Sequence, residues 1–76
     1  MSKLPAAISG KEVVKALNKL GYDVDHQIGS HIILRMNKYP YRRLTIPNHK
    51  TIAKGTLRSI IRQAGLTRDE FLDLIK

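Results

Sequence analysis

The chain has 76 residues, 42% of them hydrophobic, which suits one domain with a modest core and excludes a disordered basic tail. Cysteine is absent, so disulfides and thiolate metal sites are excluded and a reducing cytoplasm is the expected compartment. Net charge is +8, from 14 Lys and Arg against 6 Asp and Glu.

The position of the charge says more than its sum. From Gly29 to Arg62 the bases Arg35, Lys38, Arg42, Arg43, Lys50, Lys54, Arg58 and Arg62 occur without a single Asp or Glu. Such a stretch lacks the carboxylates that hold divalent metal and suits a polyanion, bound in a salt-dependent way. A merely solubilising surface is the plainer alternative. Met1 to Ile8 holds one lysine and no long apolar run, so it does not read as a signal peptide. No segment approaches the ~20 apolar residues of a membrane span.

Ser9 and Glu12 form a capping box flanked by Ile8 and Val13. Val13, Val14, Ala16, Leu17 and Leu20 then follow helical spacing, with Lys11, Lys15 and Lys19 on the other side and Gly21 as the stop. Tyr22 to Ile28 alternates apolar and polar residues, as a half-buried strand does. Gly29-Ser30 suits a type II′ hairpin turn into a second strand, His31 to Met36. Asn37 to Pro40 makes another turn, and Arg42 to Ile46 a third strand ended by Pro47. Short connections imply an antiparallel meander.

Leu57, Ile60, Ile61 and Ala64 then share one helical face, opposite Lys54, Arg58 and Arg62, and Gly65 ends that helix. Thr67 and Glu70 make a second capping box, stapled by Leu66 and Phe71, for a last short helix with Phe71, Leu72 and Ile75 inward. The expected fold is α+β, in the order α-β-β-β-α plus a short C-terminal helix. A three-stranded antiparallel sheet carries its helices on one face, in one domain spanning residues 1–76.

Strand parity places the side chains. With Ile32, Leu34, Met36, Leu44 and Ile46 toward the helices, the open face gathers His31, Ile33, Arg35, Arg43 and Thr45. His26 shares parity with Tyr22, Val24 and Ile28, which puts it on the helix side as a structural or edge residue. His49 lies in the loop leading to the basic helix. For His31, neighbouring cations disfavour the imidazolium and leave a ring able to accept a proton. Tyr39 and Tyr41 flank Pro40 at a hairpin tip, where they pack on the hairpin or stack on a base.

These residues carry a family resemblance. Gly21-Tyr22, Gly29-Ser30-His31, Ile46-Pro47-Asn48-His49 and the run Lys54-Gly55-Thr56-Leu57-Arg58-Ser59-Ile60-Ile61-Arg62-Gln63-Ala64-Gly65 resemble the HicA toxin family over nearly the whole chain. The resemblance implies a small RNA-cleaving toxin (an mRNA interferase) with a fold like that of double-stranded-RNA-binding domains. It also implies a HicB-type antitoxin that covers the active face, the toxin being a monomer alone and part of a hetero-oligomer with its antitoxin. The family's catalytic histidine falls on His31. No second catalytic role at His49 is implied.

The expected chemistry is cleavage of mRNA without metal or cofactor. Neutral His31 takes a proton from a ribose 2′-hydroxyl, whose oxygen attacks the adjoining phosphorus. Gly29 and Ser30 let the backbone approach the RNA, and Arg43, Lys50, Lys54, Arg58 and Arg62 hold phosphates. Three rivals stand beside it. A metal-dependent nuclease has only Asp23 and Asp25 as a close carboxylate pair. A noncatalytic double-stranded-RNA-binding module fits the same architecture. A DNA-binding regulator lacks any helix-turn-helix pattern.

Overall fold

A computed structural model describes residues 4–5 and 7–76. Residues 1–3 and 6 of the opening segment, read above as no signal peptide, lie outside the described residues. The elements run α1 (Gly10–Asn18), β1 (Tyr22–Ile28), β2 (His31–Met36), β3 (Arg43–Pro47), α2 (Lys54–Gln63) and α3 (Arg68–Ile75). This is the expected α-β-β-β-α order with a C-terminal helix, and the sheet is antiparallel in the order β1-β2-β3.

Both capping boxes form. The Glu12 amide donates to Ser9 Oγ and the Ser9 amide to the Glu12 carboxylate, each at 3.1 Å. Thr67 and Glu70 repeat the arrangement at the start of α3. These bonds satisfy amides that the first helical turn leaves without partners. By contrast α2 begins after Ala53, which offers no side-chain cap.

One face of the sheet and one stripe of each helix bury a common core. Ile32, Leu34, Leu44 and Ile46 meet Val13, Leu17, Leu57, Ile60, Ile61 and Phe71 in a single cluster. Leu20, expected in the α1 stripe, is instead 37% exposed. The amides of Lys19, Leu20 and Gly21 bond three residues back, to Ala16, Leu17 and Asn18. The helix tightens there, and Leu20 turns off the buried stripe.

The larger correction is in β1. Val24 pairs with Leu34, yet the next pair is His26 with Ile33, so Asp25 is an extra, bulged residue. A bulge reverses parity for everything after it. His26 therefore lies opposite Ile33 and Ile28 opposite His31, on the open face and not on the helix side. Ile28 is 62% exposed as a result. The third strand also starts one residue late, at Arg43, although the Arg42 carbonyl still accepts from the Met36 amide at 2.8 Å; the Arg42 guanidinium donates to the Gln63 carbonyl at the end of α2. Among the described residues no helix is long and apolar enough to cross a membrane.

Candidate active site on the open face of the sheet

Cross-strand partners share a face, so the register defines three rows on the uncovered side of the sheet. Asp23, Arg35 and Arg43 form the first, His26, Ile33 and Thr45 the second, and Ile28, His31 and Pro47 the third. All but Ile33 and Pro47 are exposed.

His31 opens β2 directly after the Gly29-Ser30 turn. Gly29 has φ +56° and Ser30 does not share the positive sign, as a type II′ turn requires. A Cβ on Gly29 would meet no atom within 4 Å, so glycine is needed there for its backbone angle and not for space. The Gln27 amide side chain donates to the Gly29 carbonyl at 2.9 Å and steadies the turn. The loop after β3 is fastened to this end of the sheet. Asn48 N–H donates to the Ser30 carbonyl at 2.6 Å, Gly10 N–H to the His49 carbonyl at 2.9 Å, and Ile52 N–H to the Ile8 carbonyl at 2.8 Å. His49 and Lys50 are thereby held, exposed, at the same end as His31.

The imidazole of His31 makes no hydrogen bond or ion pair with a described residue, which leaves both ring nitrogens for a ligand. Its neighbours on the sheet are apolar: Ile28 and Pro47 across, Ile33 two residues along. The ring of cations expected around it is not at this spot. Arg35 shares its face only four residues on, about 13 Å along the strand, in one row with Arg43.

The charges of Arg35 and Arg43 act instead on Asp25. The bulge brings the Asp25 carboxylate to His26, with Oδ2 2.8 Å from Nδ1. The hydrogen bond from His26 holds the Asp25 carboxyl below its ordinary value of 3.8; desolvation opposes this, and the charges of His26, Arg43 and Arg35 add to the lowering. Next to this pair the Arg35 guanidinium lies 5.1 Å over the Tyr41 ring, and Tyr39 meets Tyr41 edge-on at 6.2 Å. Tyr39 remains 85% exposed at the hairpin tip. A shallow groove runs between Asp23, Asp25, Arg35, Met36, Asn37 and Tyr41.

The anticipated RNA-contacting residues fall in three places. Gly29, Ser30 and Arg43 accompany His31 on the turn and the open face. Lys50 sits in the connecting loop, whereas Lys54 and Arg58 project from α2, in the layer that packs on the opposite side of the sheet. Arg58 and Arg62 line a separate groove there with Leu4, Ile61 and Leu66. Among the described residues no group of three or more His, Asp or Glu is arranged to hold a metal ion. The Asp25–His26 pair is the feature that sequence reasoning misses; its only linear signal is adjacency in Asp23-Val24-Asp25-His26.

The fold is a small α+β domain, and its sheet presents an exposed histidine behind a Gly-Ser turn on a partly basic face. The profile of the family described as "HicA toxin of bacterial toxin-antitoxin" matches residues 10–66. That span is well over half of the chain and includes the turn, all three strands and α2. The chain belongs to the HicA toxin family, and its role is that of the toxin in a toxin–antitoxin pair. Among curated proteins no sequence match is found.

Proposed function

We propose that this toxin is an endoribonuclease, an mRNA interferase that acts in the cytoplasm as a single domain and needs neither metal nor cofactor. The observation that carries this reading is the exposed His31, without a partner among the described residues, on the sheet face that no described helix covers. His31 accepts the proton of a ribose 2′-hydroxyl, and the freed oxygen attacks the adjoining phosphorus. The bond from phosphorus to the 5′-oxygen of the next nucleotide breaks, leaving a 2′,3′-cyclic phosphate and a 5′-hydroxyl. Arg43 and Arg35 offset charge on the phosphoryl oxygens. The Gly29-Ser30 backbone lets the strand approach closely. From the open face the RNA passes the β3 edge and Lys50 to reach Lys54 and Arg58, whose phosphate contacts carry no sequence information.

The same face is where a HicB-type antitoxin would act. A catalyst with no removable cofactor is silenced by covering His31, and a basic face calls for an acidic cover. Exposed Ile28 and half-buried Ile33 beside His31 give that cover apolar area to bury.

The test is to express wild type and His31→Ala without a partner, map the RNA ends, and repeat the cleavage with purified protein in excess chelator. Wild type should cut under chelation and leave cyclic-phosphate ends. His31→Ala should fold and bind RNA while cutting about 10²–10⁴-fold more slowly. Wild type that binds double-stranded RNA but never cuts it would establish the noncatalytic module. A strict need for magnesium, or cutting of single-stranded DNA, would overturn the 2′-hydroxyl scheme.

A further inference from the structure

His26 and His31 belong to neighbouring rows of one face: His26 pairs with Ile33, and His31 lies two residues from Ile33 on the same strand. They are diagonal neighbours on an antiparallel pair, about 7–8 Å apart and somewhat closer between Cβ atoms. Both side chains are exposed, and among the described residues no helix packs over the face between them. Two imidazoles at this spacing can reach opposite sides of one phosphodiester, each ring about 3 Å from the oxygen it serves.

Their surroundings differ in the way two opposed proton transfers require. His31 has apolar row neighbours and no carboxylate. His26 has Asp25 at 2.8 Å from Nδ1, with Arg35, Arg43 and Asp23 in the adjoining row. An ionised carboxylate only accepts hydrogen bonds, so Nδ1 carries the hydrogen and Nε2 is left to face solvent and substrate. The carboxylate also stays paired with a ring that holds both hydrogens, the form an acid must have before it donates.

Building on the ribonuclease reading above, we propose that His26, oriented by Asp25 through the β1 bulge, is the acid that protonates the leaving 5′-oxygen opposite the base His31. In the balanced step the 2′-hydroxyl proton passes to His31, the 2′-oxygen bonds to phosphorus, the bond to the 5′-oxygen breaks, and that oxygen takes a proton from His26 Nε2. His31 ends protonated and His26 neutral, and exchange with water restores both. His26 touches a reacting atom and is catalytic; Asp25 acts through His26 and is a positioning residue.

A substrate with sulfur in place of the bridging 5′-oxygen decides the matter, because a thiolate departs without needing a proton. Cleavage of ordinary and 5′-thio RNA is compared for wild type, His26→Ala, His26→Gln, Asp25→Asn and His31→Ala, with circular dichroism confirming each fold. On ordinary RNA both His26 variants should lose about 10²-fold or more, and Asp25→Asn should lose less. On the 5′-thio substrate the His26 and Asp25 variants should return to within a few fold of wild type, while His31→Ala stays slow. Unimpaired His26 variants on ordinary RNA, or equal losses on both substrates, would overturn the assignment of His26 and leave the ribonuclease reading intact. Wild type inactive on both substrates would remove the ribonuclease reading itself, and this inference with it.

Discussion

The Asn48 amide donates to the Ser30 carbonyl at 2.6 Å, which joins the loop after β3 to the turn that presents His31. The same loop is bonded on its other side to Gly10 at the start of α1, through the His49 carbonyl. The site is thus positioned by backbone contacts between segments far apart in sequence, and a disturbance at α1 reaches it through the loop.

Gly10 is the sensitive point of that connection. A Cβ there would overlap the Pro47 carbonyl oxygen and press on the Asn48 Cα, both backbone atoms that cannot swing aside. Gly10→Ala should therefore cost about 1–3 kcal/mol, the usual penalty of overpacking, despite alanine's better helix propensity. The urea midpoint should fall accordingly, and RNA cleavage should weaken because the loop beside His31 shifts. A midpoint equal to wild type would show that the α1–loop contact yields easily.

Much of this arrangement is legible in the sequence, for reasons that are local. Ser9 with Glu12 and Thr67 with Glu70 announce their helices because a capping box is completed within four residues. Ile32, Leu34, Leu44 and Ile46 declare their face through alternation, and Gly29-Ser30 fixes the turn. The β1 bulge leaves no such mark. Asp25 is polar on either face, no glycine flags the extra residue, and only the pairing of His26 with Ile33 reveals it. Parity alone consequently sends His26 and Ile28 to the wrong side and hides the Asp25–His26 pair. The division of the bases between sheet and α2 is equally hidden, since residue spacing orders one element at a time.

Removal of its partner should release the Asp25 carboxyl. The first cause of its lowered value is the His26 hydrogen bond, so in His26→Ala the carboxyl carbon should titrate closer to 3.8 by NMR. Desolvation then acts to raise it, while the charges of Arg43 and Arg35 still act to lower it. The sign for stability follows from the depressed folded value: Asp25 stabilises the fold above the unfolded value of 3.8, and this is lost as pH falls through the lower folded value. The wild-type advantage over Asp25→Asn should accordingly be small at pH 7, the pair being exposed, and shrink as pH falls below 3.8. An unchanged Asp25 titration in His26→Ala would contradict the geometry of the pair.

Ala53 occupies the N-cap of α2 with φ −60° and ψ 143° and gives the helix no side-chain bond. The backbone already has the extended conformation of a capping residue, and the side chain is exposed. Ala53→Asp should gain about 1 kcal/mol, helped by the absence of any acid in the first turn. In a domain this small that gain corresponds to about 4–8 °C in Tm. Ala53→Ser should gain from the hydrogen bond without the charge, so scanning calorimetry of both variants separates the two contributions. No gain in either would mean that the first-turn amides of α2 are already satisfied.

Tyr22 is 1% exposed, and its hydroxyl finds no hydrogen-bond partner among the described residues. Burying an unpaired hydroxyl costs about 1–3 kcal/mol, whereas the ring itself is among the larger fully buried groups of the core. Tyr22→Phe keeps the ring and removes the polar atom, and should be neutral or stabilising by about 1 kcal/mol in urea denaturation. A clear loss of stability would show that the hydroxyl is satisfied in solution.

The two-layer distribution of bases predicts a dependence on RNA length. Arg43 shares the open face with His31, while Arg58 projects from α2, in the layer on the other side of the sheet. An oligonucleotide of about 4 residues, near the lower limit for a single-strand groove, should occupy the open face alone. In an inactive His31→Ala background, Arg43→Gln should weaken binding of both short and long RNA. Arg58→Gln should weaken only a strand of about 12 or more residues, which is long enough to round the edge. Each base that no longer grips a phosphate should also lower the slope of log affinity against log salt by about 0.7. Equal sensitivity of the short strand to both substitutions would mean that the RNA lies along the helical layer, and that His31 is approached from the β3 edge.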